Sequence, residues 1–554
     1  MKLFVKKAVL VLVMVFFAML MASVMSAGIV HAATITVTSL NDSGPGSLRQ
    51  AIADAATGDT IDFAVTGTVV LTSGELTINK DLTIEGPGSG DLTISGNNAN
   101  RVFNISGGNI TIRGVTVQLG ATSGDGGGIY NSGTLTVTSS TIGYNTGYVG
   151  GAVYNKGTMS IATTTISHNI ASSGTISNDG TLTLTNSIVN NNTADSGGGI
   201  SNGGTVNLTN STVSYNTVFN SGGGIFNFGM LSMVNSTINN NTANSGGGIY
   251  NSGGGDMAVI KSTISYNGAV GQPGDGGGIY NTIAGNTVRL INSTVSYNTA
   301  LHDGGGIANQ DAVEMGSTIV AGNMSAIGQD CFSSRPSMSL GYNLISEASA
   351  CSLEAAPGDL VGTRTSPIDP MLGPLQDNGG PSFTHALLPG SPAIDHIPPA
   401  FCGSSTDQRG IDRPQGPACD IGAFEVEASP APQCALAISY TEGVLNLGFT
   451  LGTPDPATWG LWLVLDPAKI ISLVPGISLP IIDPPISRSI PIQGFPHLGT
   501  IGFLSKLTAP DEEITCWDFE TVDTGSPAVS PEETIEKIPS IFPKLHEILP
   551  KSLF

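Results

Sequence analysis

Two aspartates, Asp275 and Asp303, each stand directly before a glycine triplet, and the chain repeats itself at nearly the interval that separates them. If they fall on neighbouring turns, their carboxylates stand side by side, an arrangement that favours a bound cation or a raised pKa. Solvated turn acids are the commoner case, so no metal or cofactor is assigned; calcium, which takes oxygen ligands, is the alternative that the pair suggests. A third acid, Asp125, precedes the first triplet. Polysaccharide cleavage needs more: carboxylates paired at working distance, or calcium ligands beside a basic residue. Between 126 and 323 the charged residues are only Lys156, Asp179, Asp195, Asp256, Lys261, Asp275, Arg289, Asp303, Asp311 and Glu314. The basic ones are isolated, and no catalytic residue is assigned.

The densest charged cluster lies further on, where Asp407, Arg409, Asp412, Arg413 and Asp420 sit between Cys402 and Cys419. Arg409 and Arg413 are expected to form hydrogen-bonded ion pairs with these acids, locking a closing module onto the last coil. His385 is read as structural, since no Ser or Cys nucleophile arrangement accompanies it. Nothing resembles a phosphate loop or a nucleotide fingerprint.

What positions these residues is a repeat. The phrase GGGIYN and its variants place an apolar residue at Ile129, Val153, Ile176, Ile200, Ile225, Ile249, Ile279 and Ile307. Two positions after each comes an asparagine: Asn131, Asn155, Asn178, Asn202, Asn227, Asn251, Asn281 and Asn309. A second phrase, apolar-x-x-Asn, runs in step with it through Asn145, Asn169, Asn192, Asn216, Asn241, Asn267, Asn298 and Asn323. A period near 24 residues, cut into short alternating runs such as Thr134-Leu135-Thr136-Val137, is too short for a helix pair. It fits three short strands and three bends per turn. Stacked turns pair each strand with its copy above, which predicts a single-stranded parallel β-helix, right-handed like other parallel crossovers. Eight such turns make a shaft of roughly 38 Å at ~4.8 Å per turn. Ile and Val then stack as an interior column. The asparagines are expected to take the left-handed conformation at bends and to bond amide to amide between turns. Sites such as Asn235-Ser236-Thr237 match the glycosylation pattern, but follow from the repeat's composition.

The ends need protection. After a strand at Thr34–Thr38, Ser47-Leu48-Arg49-Gln50 reads as a capping box. Leu48, Ala51, Ile52 and Ala55 follow at helical spacing, so a short amphipathic helix should cover the first turn. The runs Leu76-Thr77-Ile78, Leu82-Thr83-Ile84, Leu92-Thr93-Ile94 and Ile110-Thr111-Ile112 read as the first coils.

The chain of 554 residues carries 20 Lys and Arg against 42 Asp and Glu, a net charge of −22 that argues against a nucleic-acid partner. Lys2, Lys6 and Lys7 precede an apolar run from Ala8 to Val30, and Val30-His31-Ala32 resembles a signal-peptidase site. Residues 1–32 are therefore read as a signal peptide, with an uncleaved anchor as the alternative; either places the body outside the cell. There the six cysteines read as disulfides, paired as sequence neighbours: Cys331 with Cys351, Cys402 with Cys419, Cys434 with Cys516. The organisation expected is cap and irregular coils over 33–120, regular repeats over 121–325 and a closing module over 326–427. A Pro-rich linker at 428–433, a small β-sandwich-like domain at 434–525 and a flexible tail at 526–554 follow. Trp459 and Trp462 fall at opposite parity of one strand, so only one of them could form an exposed sugar platform.

The stretch NDSGPGSLRQAIADAATGDTIDF, Asn41–Phe63, resembles the N-terminal CSLREA module, without the Cys of that name. DPMLGPLQDNGGPSFTHALLPGSPAID, Asp369–Asp395, and DQRGIDRPQGPACDIGAFE, Asp407–Glu425, resemble the choice-of-anchor Q domain of bacterial surface and secreted proteins. The repeats resemble, more loosely, the GGAI and FxxN repeats of polymorphic outer membrane proteins, whose β-helical passengers are adhesins. These resemblances imply a secreted or surface β-helix, with no catalytic residue to transfer. The expected function is structural or adhesive, a repetitive polar face presented to glycans or other surfaces. The competing reading is a polysaccharide lyase or hydrolase with an atypical site near the longer turns, 250–280 and 281–307. A third is a passive stalk that carries the C-terminal sandwich as binder.

Overall fold

The apolar residues of each repeat alternate with Thr, Ser and Asn, so a strand that buries one set must expose the other. The structure, a computed structural model, describes residues 32–282 and 287–428, apart from the Ala312 side chain, and the backbone of seven strands between 434 and 523. The expected signal peptide, linker and tail lie outside the described residues, except for Ala32 and Ala428 at their edges. Two compact units divide at 427/428.

The first unit is a parallel β-helix. A sheet of 14 strands collects the five-residue segments such as Thr134–Thr138, and one of 11 strands collects the Ile-x-Asn segments such as Ile129–Asn131. A third, of 13 strands, holds segments such as Thr141–Gly143. Neighbouring coils pair in register, Ile129 with Val153 and Asn131 with Asn155, for example. Where three strands per turn are expected, the central coils have four. A fourth sheet of 7 strands, from Thr146–Val149 to Thr299–Ala300, occupies the residues between the second asparagine and the glycine triplet. Its inward residues form a separate small cluster of Ala171, Ala194, Val218 and Ala243, behind which the triplets pack. Small residues are required there: a Cβ on Gly223 would meet the Gly247 carbonyl and the Thr242 backbone.

The interior column is continuous. Ile129, Val153, Ile176, Ile200, Ile225, Ile249 and Ile279 are fully buried, as are Val137, Ile161 and Leu184 on the long strands. At roughly 1.5–3 kcal/mol per buried side chain, these columns are the main drive for coiling. The asparagines of the first phrase are also fully buried, but they are not the left-handed residues. Positive φ falls instead on the residue before the second asparagine (Tyr144, His168, Asn191, Tyr215, Asn240, Tyr266, Tyr297), on the residue before a column of hydroxyls (Ser139, Thr163, Asn186, Asn210, Asn235, Lys261, Asn292, Ser317) and on the first glycine of each triplet, as at Gly222. At the second ladder the bend is made by the residue before each asparagine, while the first ladder's asparagines end short strands such as Ile129–Asn131.

Helix α1, Leu48–Asp54, caps the N-terminal coil with Leu48, Ala51 and Ile52 inward. Half of the expected capping box forms: Ser47 Oγ accepts from Gln50 N at 3.2 Å, while the Gln50 side chain turns to Asp54. Arg49 ties the cap down by bonding Asp42, Gly74 O and Glu75 O.

Residues beyond the last coil pack against Ile319, Leu344 and Leu360 of the last coils and also reach further up the shaft. An antiparallel hairpin, Leu372–Gln376 with Thr384–Leu387, and the loops after it run back along the outer face of the 13-stranded sheet. They bond Asn235, Thr237, Thr263, Ser265 and Thr294, residues far up the shaft. The module thus grips several coils, where a lock onto the last coil alone is expected. The reason is the outer face of Thr237–Asn239, Thr263–Ser265 and Thr294–Ser296, which is buried under the returning segment and offers it a row of hydroxyls.

The second unit comprises two antiparallel sheets, of three and four strands, the first beginning at Cys434–Thr441 and the second ending at Thr515–Asp523. Cys434, Cys516, Trp459 and Trp462 lie on these strands, and their side chains are outside the described residues. No helix among the described residues is long and apolar enough to cross a membrane.

Candidate functional site

Parallel coiling places the residue before each glycine triplet in one vertical line. Gly246 N donates to the Asp275 carbonyl at 2.9 Å and Gly276 N to the Asp303 carbonyl at 2.9 Å, so the two aspartates hold the same place on successive coils. The structure brings them together and adds a residue not singled out in the sequence, His302. Its Nδ1 lies 3.3 Å from Asp275 Oδ1 and 3.1 Å from Asp303 Oδ1. One ligand atom from each of the three falls within 4.8 Å of the others. Asp303 N donates to Asp275 Oδ1 at 3.2 Å. Tyr280 hydrogen-bonds Asp275, and its phenol is pushed up to about 12, first by burial and then by that carboxylate. The Asp303 carboxyl is raised by burial and by Asp275, more than His302 lowers it. Asp303 Oδ1 is buried without a hydrogen-bond donor; His302 is close but not aligned for one. Asp125 stands apart, six coils up the shaft from Asp275 and seven from Asp303.

The two asparagine phrases become two internal ladders. Asn131 Nδ2 donates to Asn155 Oδ1 at 2.7 Å, and the pattern continues through Asn178, Asn202, Asn227, Asn251 and Asn281 to Asn309. The second runs from Asn145 to Asn323 and ends on a carboxylate, Asp330 Oδ1, which accepts from Asn323 Nδ2 at 2.9 Å. A third column, of hydroxyls from Ser140 to Thr318, passes through Asn343 to another carboxylate, Asp359. Asp330 and Asp359 were invisible to a search for repeated phrases because each occurs once, at an end.

In the returning segment Arg409 pairs with Asp407 at 2.9 Å and with Glu427 at 3.0 Å, and lies over the Phe424 ring. Arg413 meets Glu425 at 2.8 Å rather than the Asp420 carboxylate, and bonds the Asp420 and Gly422 carbonyls. Asp420 instead accepts from Asp395 N and Val426 N. Glu425 lay outside the bounding cysteines, which is why the sequence reading passed it over. His385 is buried and bonded to Ser265 Oγ and Gly373 O, and burial lowers its pKa. Disulfides join Cys331 to Cys351 and Cys402 to Cys419.

The buried acids make stability depend on pH. Burial lifts Asp330 and Asp420 to about 6, against their hydrogen bonds. Unfolded carboxylates titrate near 4, so between about pH 4 and 6 the folded state holds more protons and stability falls as pH rises. Each group contributes roughly 2–3 kcal/mol to that fall. Asp42 has the opposite sign: hydrogen bonds from Ser73, Arg49 and Thr72 outweigh burial and hold it well below the usual range, so its contribution is lost in stronger acid. The thermal midpoint of the first unit should therefore peak at about pH 4–5 and decline toward neutrality. Scanning calorimetry in high salt, which screens the net charge, checks this; a midpoint that holds or climbs from pH 4.5 to 7.5 contradicts it.

On the outside, a groove of about 480 Å³ crosses the fourth sheet, lined by Thr146, Ile170, Thr193, Asp195, Thr217 and Phe219 among others. Exposed rings flank it in the chain: Tyr144, stacked on His168 at 4.9 Å, Tyr148, Tyr215 and Phe219. Another aromatic column, Phe226, Tyr250 and Tyr280, climbs the Ile-x-Asn sheet with centroids 5.1 and 5.3 Å apart.

Fold and ladders together define a parallel β-helix protein with amide-laddered coils and a flank-packed return segment. No protein-family model matches the chain, and neither does any curated protein or solved structure.

Proposed function

We propose that this is an exported, surface-associated β-helix that adheres to glycans through its outer faces. The observation that carries the reading is the groove on the fourth sheet, where the exposed Phe219 ring stands beside Thr hydroxyls and one carboxylate, Asp195, and the exposed Tyr144, Tyr148 and Tyr215 are close by in the chain. Such rings stack on the apolar face of a pyranose while hydroxyls and a carboxylate bond its polar edge. Single contacts of this kind are weak, and repetition along the shaft supplies avidity. The basic, apolar N-terminal segment and the two disulfides support export.

The test is retention of the purified chain on a panel of plant, algal and bacterial polysaccharides, with reducing-end release followed in parallel. Retention without release is expected, and Phe219→Ala with Tyr215→Ala should weaken it at least about tenfold while leaving circular dichroism unchanged. Release of reducing ends would favour a lyase or hydrolase. Retention equal in the variant, or absent throughout, would sink the groove as the binding face.

A further inference from the structure

We propose that Asp275, His302 and Asp303 form a binding site for one divalent transition-metal ion, zinc by preference, which clasps two successive coils. Nothing in the adhesive reading requires it.

The first support is geometric. A tetrahedral zinc ion with ligands at about 2.0–2.1 Å separates its donor atoms by about 3.3 Å. His302 Nδ1 stands 3.3 Å from Asp275 Oδ1 and 3.1 Å from Asp303 Oδ1. Two of the three donor separations thus match such a polyhedron, and the third lies within 4.8 Å.

The second is independent of the spacing. Asp303 Oδ1 is shielded from solvent, has no hydrogen-bond donor, and is aimed at His302 Nδ1. A buried carboxylate oxygen left in that state is costly. Beside it the Asp275 side chain is nine-tenths buried, at 10% exposure. Among the described residues no Lys or Arg forms an ion pair with either carboxylate. Two adjacent carboxylates whose only ion-pair partner among the described residues is the titratable His302 favour an added positive charge.

The donor set then selects the ion. Calcium, suggested by the two acids alone, takes six to eight oxygens; here one of three donors is an imidazole nitrogen, which suits zinc and its neighbours. Three protein donors leave a fourth position for water. An outer shell is in place as well. Asp275 is held by Asp303 N and by Tyr280, whose hydroxyl accepts from Gln310 Nε2 at 2.9 Å. Such contacts fix ligand orientation in known metal sites.

The experiment uses the full chain, stripped with chelator and dialysed against micromolar Zn²⁺, with bound metal measured by elemental analysis and the thermal midpoint recorded with and without it. One equivalent per chain and a raised midpoint are expected, along with the intense visible absorption of tetrahedral cobalt when Co²⁺ replaces zinc. Asp303→Asn and His302→Ala should each weaken binding at least about tenfold. In metal-free buffer Asp303→Asn should match or exceed the parent midpoint, because it removes a buried charge, so loss of binding cannot be ascribed to misfolding. The proposal is overturned if the parent chain retains no zinc, or if both variants retain it equally. In either case His302 serves only as a bridging partner for the two carboxylates.

Discussion

Asn216→Ala lowers the unfolding free energy by about 3–6 kcal/mol, whereas Asn207→Ala, nine residues away and facing out, changes it by less than about 0.5 kcal/mol. Asn216 is fully buried. Its amide donates to Asn241 Oδ1 and Val189 O, and its oxygen accepts from Asn192 N and Asn192 Nδ2 at 3.0 and 2.9 Å. Alanine leaves those partners stranded in the interior, each at a cost of about 1–3 kcal/mol partly relieved by relaxation. Asn207 stands on the outer face of Thr205–Thr209, where water replaces whatever it bonds. Denaturant titration of both variants checks the contrast. Equal shifts would mean that the ladder is an ornament of the coil rather than part of its stability.

Arg413→Ala frees the return segment from the shaft. Arg413 and Glu425 are buried, and their pairing at 2.8 Å is supplemented by Gln415 N and Asp420 N on the Glu425 carboxylate. Removing one partner strands the other charge, a loss of about 3–5 kcal/mol. The segment holds the flank through hydrogen bonds to Thr237, Thr263 and Ser265, each worth only about 0.5–1.5 kcal/mol, and through an apolar cluster with Ile319, Ala321 and Leu344 that is far smaller than the continuous column inside the coils, so it should detach before the coils unfold. Limited proteolysis is expected to cut within 369–427 while the coils up to 361 stay intact. The double variant Arg413→Met/Glu425→Met should recover much of the resistance, since well-packed apolar residues can replace a buried ion pair. Simultaneous digestion of shaft and segment would refute this division.

What was legible in the sequence is what recurs. Eight copies of Ile-x-Asn and of apolar-x-x-Asn specify interior columns, ladders and parallel register, because a stacked coil imposes one environment on every copy. The fourth strand was hidden because Thr193–Ala194 and its equivalents are too short to show alternation. The bend conformation was assigned to the wrong residue, the conspicuous asparagine, when in the second phrase the residue before it carries the positive φ. Features that occur once were the least legible. Asp275 and Asp303 were found through their glycine triplets, but His302 has no counterpart in other coils, and the partnership of Arg413 with Glu425 depends on a fold-back that no local pattern announces.

The second ladder has a direction. Every amide from Asn145 to Asn323 points its N–H toward the C-terminal end and its oxygen toward the N-terminal end. The dipoles therefore add, as peptide dipoles do in a helix, and the positive pole meets the carboxylate of Asp330. An amide passes a hydrogen bond onward; an ionised carboxylate accepts one and has none to give. Asp330 is in that sense a chain terminator, and the shaft can be lengthened by inserting whole coils anywhere upstream of it without disturbing either pole. Duplication inside the repeat is chemically neutral, whereas a coil appended past Asp330 would begin with no donor to receive.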